Sequence, residues 1–407
     1  MGLALRAHAE FMAGAAVRVV TPDPLLPVSG GVGPSRPTQI RQGDLTVRAL
    51  ALSDGRTGVA IVSGDFLGFP SVLGNRVRAR IPFLPPQNIL IAATHTHSAP
   101  DCYGFPDEQG KTSADLKYLE TVCDRMAEAV REAWERKQPA RLRVASGELR
   151  GRIAYNAYVE KFFNPQAAVL QFRNTQDQPI ALLLNYAVHP EVLGSDRGIL
   201  SPDLCGPFYD WIQEHGGGTA LFLNGAQGGM VTADNRTADG KERGDWEECR
   251  RIGSLMAEES FRLLQGGEDI PDPSLYCTAR YIRFPVDSPL LRQIMTASPL
   301  KYTAQADGSV AAQCNLIHLG SVQILTIPGE ALPNIGRFLQ RHMRGRHNLL
   351  FGLTNDALGY MLSRADWASF KVYQYVSRVC LGERTGEILM DEALRLIEQS
   401  PLPGTEK

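Results

Sequence analysis

Residues 89–101 read ILIAATHTHSAPD, an apolar run that ends abruptly in two histidines separated by one threonine. A short apolar run with polar flanks suits a strand buried on both faces, the kind found in sheets covered by further layers. Side chains alternate along a strand, so His95 and His97 can project to the same side at its end. That geometry suits metal ligation or acid/base work, although an HxH pair taken alone is more often a matter of packing or a loop. Asp101 lies close enough in sequence to hold an imidazole tautomer.

Working outward, strand-length apolar runs alternate with helix-period segments. Strands are expected at 45–52, 58–64, 141–147, 167–173, 180–187, 219–223, 275–284, 315–319, 322–327 and 348–353. Helices are expected at 72–80, 115–137, 203–215, 245–264, 331–343 and 382–399. This alternation predicts an α/β fold, and the short turns between several strands predict mixed rather than purely parallel sheets flanked by helices. Residues 1–16 read as an N-terminal extension and 17–407 as a single catalytic domain. The Pro-rich stretches 269–274 and 287–299 read as surface loops.

Lys plus Arg number 42 against 44 Asp plus Glu, so no global positive field exists and nucleic acid is a poor partner. No apolar run approaches the roughly 18 residues of a transmembrane segment. Seven cysteines without CxxC pairing point to reduced thiols and a cytoplasmic setting, with secretion left open if the true start lies upstream.

Other junctions repeat the strand-then-polar design. The run ALLLNYAV delivers His189, which read alone is more often a satisfied core histidine than a ligand, although two junctions of the same kind favour ligation. In QILTIPGEALPNIG a strand, a Pro-Gly turn and a helix start place Glu330 at a loop mouth, although a carboxylate also suits a helix N-terminus. Tyr360, in GLTNDALGY, reads from spacing alone as a core aromatic. The NGAQGGM run can bring Gly225 and Gly228 backbone against a substrate, or make a tight turn.

In order along the chain, THTHSAPD, NYAVHPEVL with SPD, NGAQGG, IPGE and NDALGY resemble the neutral ceramidase family, also called neutral/alkaline non-lysosomal ceramidases. The resemblance runs from about Val17 to about Leu389. It implies a mixed α/β catalytic domain, without the C-terminal β-sandwich domain of full-length ceramidases, for which the chain stops too early. It also implies one zinc ion per chain held by His95, His189, Glu330 and Tyr360. His97 would assist proton transfer or hold the developing oxyanion, and Tyr360 would adjust the metal's charge.

The family's serine block, GDVSPN, becomes Gly228-Gly229-Met230-Val231-Thr232-Ala233, which puts Val231 or Thr232 at the serine. Its Asn-Arg-Ser block becomes Asn156-Ala157-Tyr158 and lacks the arginine, and its early histidine is missing from QIRQGDLTVRALAL. Asn156, Gly225, Gly228 and Asp101 are the expected substrate contacts. The expectation is a zinc-dependent hydrolase that cleaves a non-peptide amide (N-acyl) bond of a small-molecule or lipid-like substrate by zinc-activated water. Cleavage of an ester or glycoside, and a non-catalytic metal- or ligand-binding protein, are the competing readings.

Overall fold

The computed structural model describes residues 10–107 and 109–405. Its centre is a mixed nine-stranded sheet. Eight strands run in the order Thr219–Asn224, Pro179–Tyr186, Gln166–Asn174, Gln138–Glu148, Met12–Val19, Thr46–Ser53, Gly58–Gly64 and Ile89–Ala93, and Glu268–Ile270 adds to Gln138–Glu148. The outermost pair at each end is parallel and the pairs between are antiparallel. A second sheet holds Leu275–Phe284, Val310–Leu319, Val322–Thr326 and His347–Phe351, with only the last pair parallel.

The apolar pattern explains the layering. Leu50, Leu52, Ile61 and Leu90 from one half of the large sheet, and Leu170, Leu183 and Leu221 from the other, share a core with Ile317, Ile324 and Phe351 of the small sheet. Each such fully buried side chain contributes about 1.5–3 kcal/mol. Alternate residues of the same strands face helices Ser71–Ala79 and Leu116–Glu135 on one half, and Cys205–Glu214 and Trp246–Gln265 on the other. Helices Pro333–His342 and Thr385–Gln399 cover the small sheet.

The mixed α/β architecture predicted from periodicity is the one observed. Leu116–Glu135 starts where Asp115 accepts the Tyr118 N–H at 2.9 Å. Two boundaries differ. The first strand begins at Met12, inside the stretch read as an extension, because the small residues of MAGAAVRV pack closely: a Cβ on Gly14 would lie 2.2 Å from the Ala133 carbonyl. The remainder of that extension, residues 1–9, lies outside the described residues. Within 287–299, read as a loop, Pro289–Ala297 is helical: Ser288 accepts the Leu291 N–H, and Pro289 suits the first turn.

The large sheet curls until its outer strand meets the opposite half. Ser63 Oγ donates to the Phe222 carbonyl (2.6 Å) and an Arg48 guanidinium N–H to that of Ala220 (3.2 Å). These side chains satisfy an edge strand that would otherwise be exposed. The closure brings the C-terminal ends of three parallel-paired strands, Ile89–Ala93, Pro179–Tyr186 and Thr219–Asn224, to one place.

Behind that place Asp203 is buried, and burial pushes its carboxyl up to about 6 against the N–H bonds it accepts from Leu193 and Leu204, both 2.8 Å. An unfolded Asp titrates near about 3.9. Between the two values the folded protein keeps a proton that the unfolded chain has lost. This contribution is therefore fullest below about pH 4 and falls as pH rises through about 6. Asp203→Asn removes the dependence. Its Tm relative to the parent should rise between about pH 4 and pH 7 by the equivalent of about 3 kcal/mol. A constant difference across that range would contradict this.

Candidate functional site

His95, His97 and His189 meet beneath a cavity that His95 and His97 line. Their ring centroids lie 4.8 Å (His95–His97), 4.7 Å (His95–His189) and 5.6 Å (His97–His189) apart, and one nitrogen from each falls within 4.8 Å of the others. Glu330 Oε2 is 3.2 Å from His189 Nε2 and 3.5 Å from His95 Nε2.

Each imidazole is held by a specific partner. His95 adopts φ +75°, a left-handed conformation costly for a histidine and found where a site over-determines the backbone. Its N–H donates to the Phe66 carbonyl (2.9 Å) and its Nδ1 to that of Leu67 (2.5 Å). His189 gives both its backbone N–H (2.8 Å) and its Nδ1 (2.7 Å) to the Val231 carbonyl. A carbonyl can only accept, so both rings carry hydrogen on Nδ1 and turn Nε2 toward Glu330, where it is a free lone pair whenever the ring is neutral. His97 Nδ1 instead lies 3.4 Å from Glu191 Oε2.

Asn224 ties the loops together. Its side-chain amide donates to the Thr94 carbonyl (3.1 Å), just before His95, and to the Val188 carbonyl (2.7 Å), just before His189. Its Oδ1 accepts the Val188 N–H (3.1 Å) and the Gly225 N–H (3.0 Å). Glu330 is set by a two-residue parallel pairing with Tyr360–Met361 and by Gly228, where a Cβ would lie 2.3 Å from the Glu330 carbonyl. Only glycine permits that approach.

Burial opposes charge on Glu330, yet the charge of His95 and the close approach of the His189 and His95 rings hold its carboxyl well below the usual carboxylate range. Burial likewise opposes protonation of His189, and Glu330 overrides it, raising the imidazole to about 9. His97 goes the other way: burial and the neighbouring His95 and His189 press it well below its ordinary value, toward the neutral form that can accept a proton.

His189 Nε2, Glu330 Oε2 and His97 Nε2 are buried with no hydrogen-bond partner among the described residues. Such atoms are costly to leave unpaired, and His189 Nε2 and Glu330 Oε2, with His95 Nε2 beside them, make a donor set that a divalent cation takes. The group could hold a metal ion.

Other expected residues are placed differently. Tyr360 lines the cavity beside Glu330, but its hydroxyl lies 3.4 Å from Met230 Sδ. Asp101 holds no imidazole: it accepts the N–H groups of Tyr103, Gly104 and Phe105, because a buried carboxylate is better satisfied by three local donors. Asn156 accepts the Tyr158 and Val159 N–H groups and donates to the Phe162 carbonyl, capping its own loop. Gly225 packs on Ala187 and Gly228 on the Glu330–Ala331 backbone. Asn156, Gly225, Gly228 and Asp101, the expected substrate contacts, are not among the residues that line this cavity. Asp65 serves Thr46 and Tyr209, and Cys102 is buried against the Pro100 carbonyl.

Sequence reasoning missed Glu191, which its position two residues after His189 in HPE could have signalled. It read the NGAQGGM run through its glycines, whereas Asn224 is the residue that joins the histidine loops. The cavity of about 700 Å³ has an apolar wall that includes Val32, Leu67, Phe105, Leu291, Ile294 and Met295. The helix Pro289–Ala297 supplies the last three of these. The carboxylates of Glu191, Glu330 and Asp356 also line it, and among the described residues no Lys or Arg does.

No protein-family model matches the chain. It is 24% identical over 209 residues to the neutral ceramidase of Pseudomonas aeruginosa, a match covering 46% of this chain and 31% of that relative. With neutral ceramidase B of Dictyostelium discoideum it shares 27% identity over 170 residues, 38% of this chain and 23% of the relative. The matched segments thus span under a third of these curated relatives' length. Among solved structures, that of neutral ceramidase from Pseudomonas aeruginosa superposes with a TM-score of 0.76 at 17% identity, covering 98% of this chain and 76% of that one. A ceramidase complexed with C2 superposes with a TM-score of 0.73 at 18% identity, covering 98% and 77%. Taken with the strand-end histidines and the two-sheet core, these likenesses identify the chain as carrying a neutral-ceramidase-like catalytic domain.

Proposed function

We propose that the chain is a zinc-dependent hydrolase of a non-peptide N-acyl amide, with zinc held by His95, His189 and Glu330 and with Tyr360 turned in beside them. The observation that carries this reading is the set of buried, partnerless atoms at His189 Nε2 and Glu330 Oε2, with His95 Nε2 facing the same carboxylate. Bound zinc supplies Lewis acidity at a carbonyl and makes water nucleophilic near neutral pH.

The chain's own residues do the rest. His97 Nε2 is buried and free of hydrogen-bond partners among the described residues, so neutral His97 takes a proton at that atom and returns it to the leaving nitrogen. Glu191 orients the ring through Nδ1 and stabilises it when charged. The apolar wall seats an acyl chain and excludes water from the reacting centre. Beyond the metal-binding group, Glu191 and Asp356 stand in the wall with no Lys or Arg among the described residues that line it, which disfavours substrates whose carboxylate or phosphate would lie there.

Val231 in place of the family serine does not argue against chemistry. What the site uses from residue 231 is its carbonyl, which any residue supplies. The test is hydrolysis by zinc-loaded protein of neutral N-acyl amines, N-acyl amino acids, esters and glycosides. The reading expects turnover of neutral N-acyl amines at least tenfold above the anionic amides. Turnover of esters or glycosides alone, or tight zinc binding with no turnover of any class, would contradict it.

A further inference from the structure

The cavity wall continues onto the surface through Tyr375, whose ring packs 6.1 Å from that of Tyr360 and is 39% exposed. Around it stand large apolar side chains that nothing covers. Phe370 is 66% exposed, Val372 46% and Val159 52%. They come from two separate segments, 156–162 and 370–375, joined by contact between the Tyr158 and Tyr373 rings at 6.0 Å, with Phe370 against Tyr373 at 5.9 Å. Soluble surfaces scatter single apolar residues freely, whereas a cluster at the mouth of an apolar cavity marks an interaction site.

The charges beside this patch select its partner. Lys371 lies between Phe370 and Val372, Lys161 follows Val159 by two residues, and Arg378 is one helical turn beyond Tyr375. All three are exposed, and none has a carboxylate partner among the described residues. The acids nearby are already engaged: Glu160 pairs with Arg236, Glu191 with His97, and Asp366 accepts from Asn334 and Ser363. Exposed aromatic and aliphatic tips interleaved with free cations match a bilayer surface, where apolar side chains enter the acyl boundary and cations meet anionic headgroups.

We propose that the rim formed by Val159, Phe370, Val372 and Tyr375, with Lys161, Lys371 and Arg378, docks the protein on an anionic lipid surface and sets the cavity mouth against it. The consequence, direct passage of an acyl substrate from lipid into the cavity, rests on the function proposed above. The docking does not. The sequence shows no long apolar helix that could serve this purpose, and the patch is legible only once two segments some two hundred positions apart are folded together.

The test is co-sedimentation of the full chain with phosphatidylcholine vesicles containing about 30% phosphatidylglycerol, at low salt and at about 0.5 M salt. The expected result is binding that weakens in high salt and on pure phosphatidylcholine. The double variant Phe370→Glu/Val372→Glu should lower the partition coefficient at least tenfold, and Lys371→Glu severalfold, with Tm unchanged because these side chains are exposed. Phe338→Glu, on an exposed face of the Pro333–His342 helix, is the control and should bind as the parent does. Failure of the parent to bind, equal binding by the double variant, or equal loss in the control would overturn the proposal. So would self-association that Phe370→Glu abolishes in the absence of vesicle binding. Docking that persists when metal binding or hydrolysis fails would defeat the proposed function and leave this inference standing.

Discussion

His95→Ala and His189→Ala should each reduce bound zinc from about one per chain to near none after dialysis against a weak chelator, whereas His97→Ala should retain it and lose hydrolysis by at least a hundredfold. The distinction comes from what holds each ring. His95 and His189 are locked through Nδ1 by backbone carbonyls and share one carboxylate oxygen of Glu330. His97 is held by the side chain of Glu191 and meets no oxygen of Glu330 within 4 Å. Removing one ligand of three or four costs most of the affinity of a zinc site, while removing a proton carrier costs about 10²–10⁴ in rate. Metal analysis by mass spectrometry, alongside turnover of a neutral N-acyl amine, separates the roles. The three histidines form one metal-capable group by distance, so zinc loss in His97→Ala would move that residue into the ligand set.

Asn224→Ala is expected to be among the most damaging substitutions outside the histidines. It deletes a buried amide that serves four backbone groups, of Thr94, Val188 (both N–H and carbonyl) and Gly225. Buried polar groups left without partners cost about 1–3 kcal/mol each, partly relieved by entering water, so a loss of about 4 kcal/mol is expected. Denaturant unfolding measures it. Because the same amide spans the approaches to His95 and His189, zinc affinity should fall by about tenfold or more, as when outer supports of a metal site are removed. Asn224→Asp, which keeps the acceptor but loses both donated bonds, should fall between parent and alanine variant if it folds. A change under about 1 kcal/mol with unaltered zinc binding would show that the loops hold the histidines without Asn224.

These expectations also mark which features local sequence carries. The strand 58–64 and the histidine pair that ends 89–93 were legible because a buried strand writes its whole environment into consecutive residues. Helix 115–137 was legible from its three-to-four spacing. The helix Pro289–Ala297 was not, since Pro289, Pro299 just beyond it and its short length resemble a loop, and its apolar face has meaning only against the cavity it walls. Asp101 and Asn156 looked like site residues by proximity to motifs, yet local backbone donors claim them. The role of Asn224 depends on curling of the large sheet, which sets Thr94 beside a residue 130 positions later. No spacing rule reaches that far.

The most direct test is a crystal of the protein grown with zinc and measured on both sides of the zinc absorption edge. The account predicts one anomalous peak per chain within about 2.0–2.2 Å of His95 Nε2, His189 Nε2 and Glu330 Oε2. A peak elsewhere, or no peak with these side chains ordered, would contradict it.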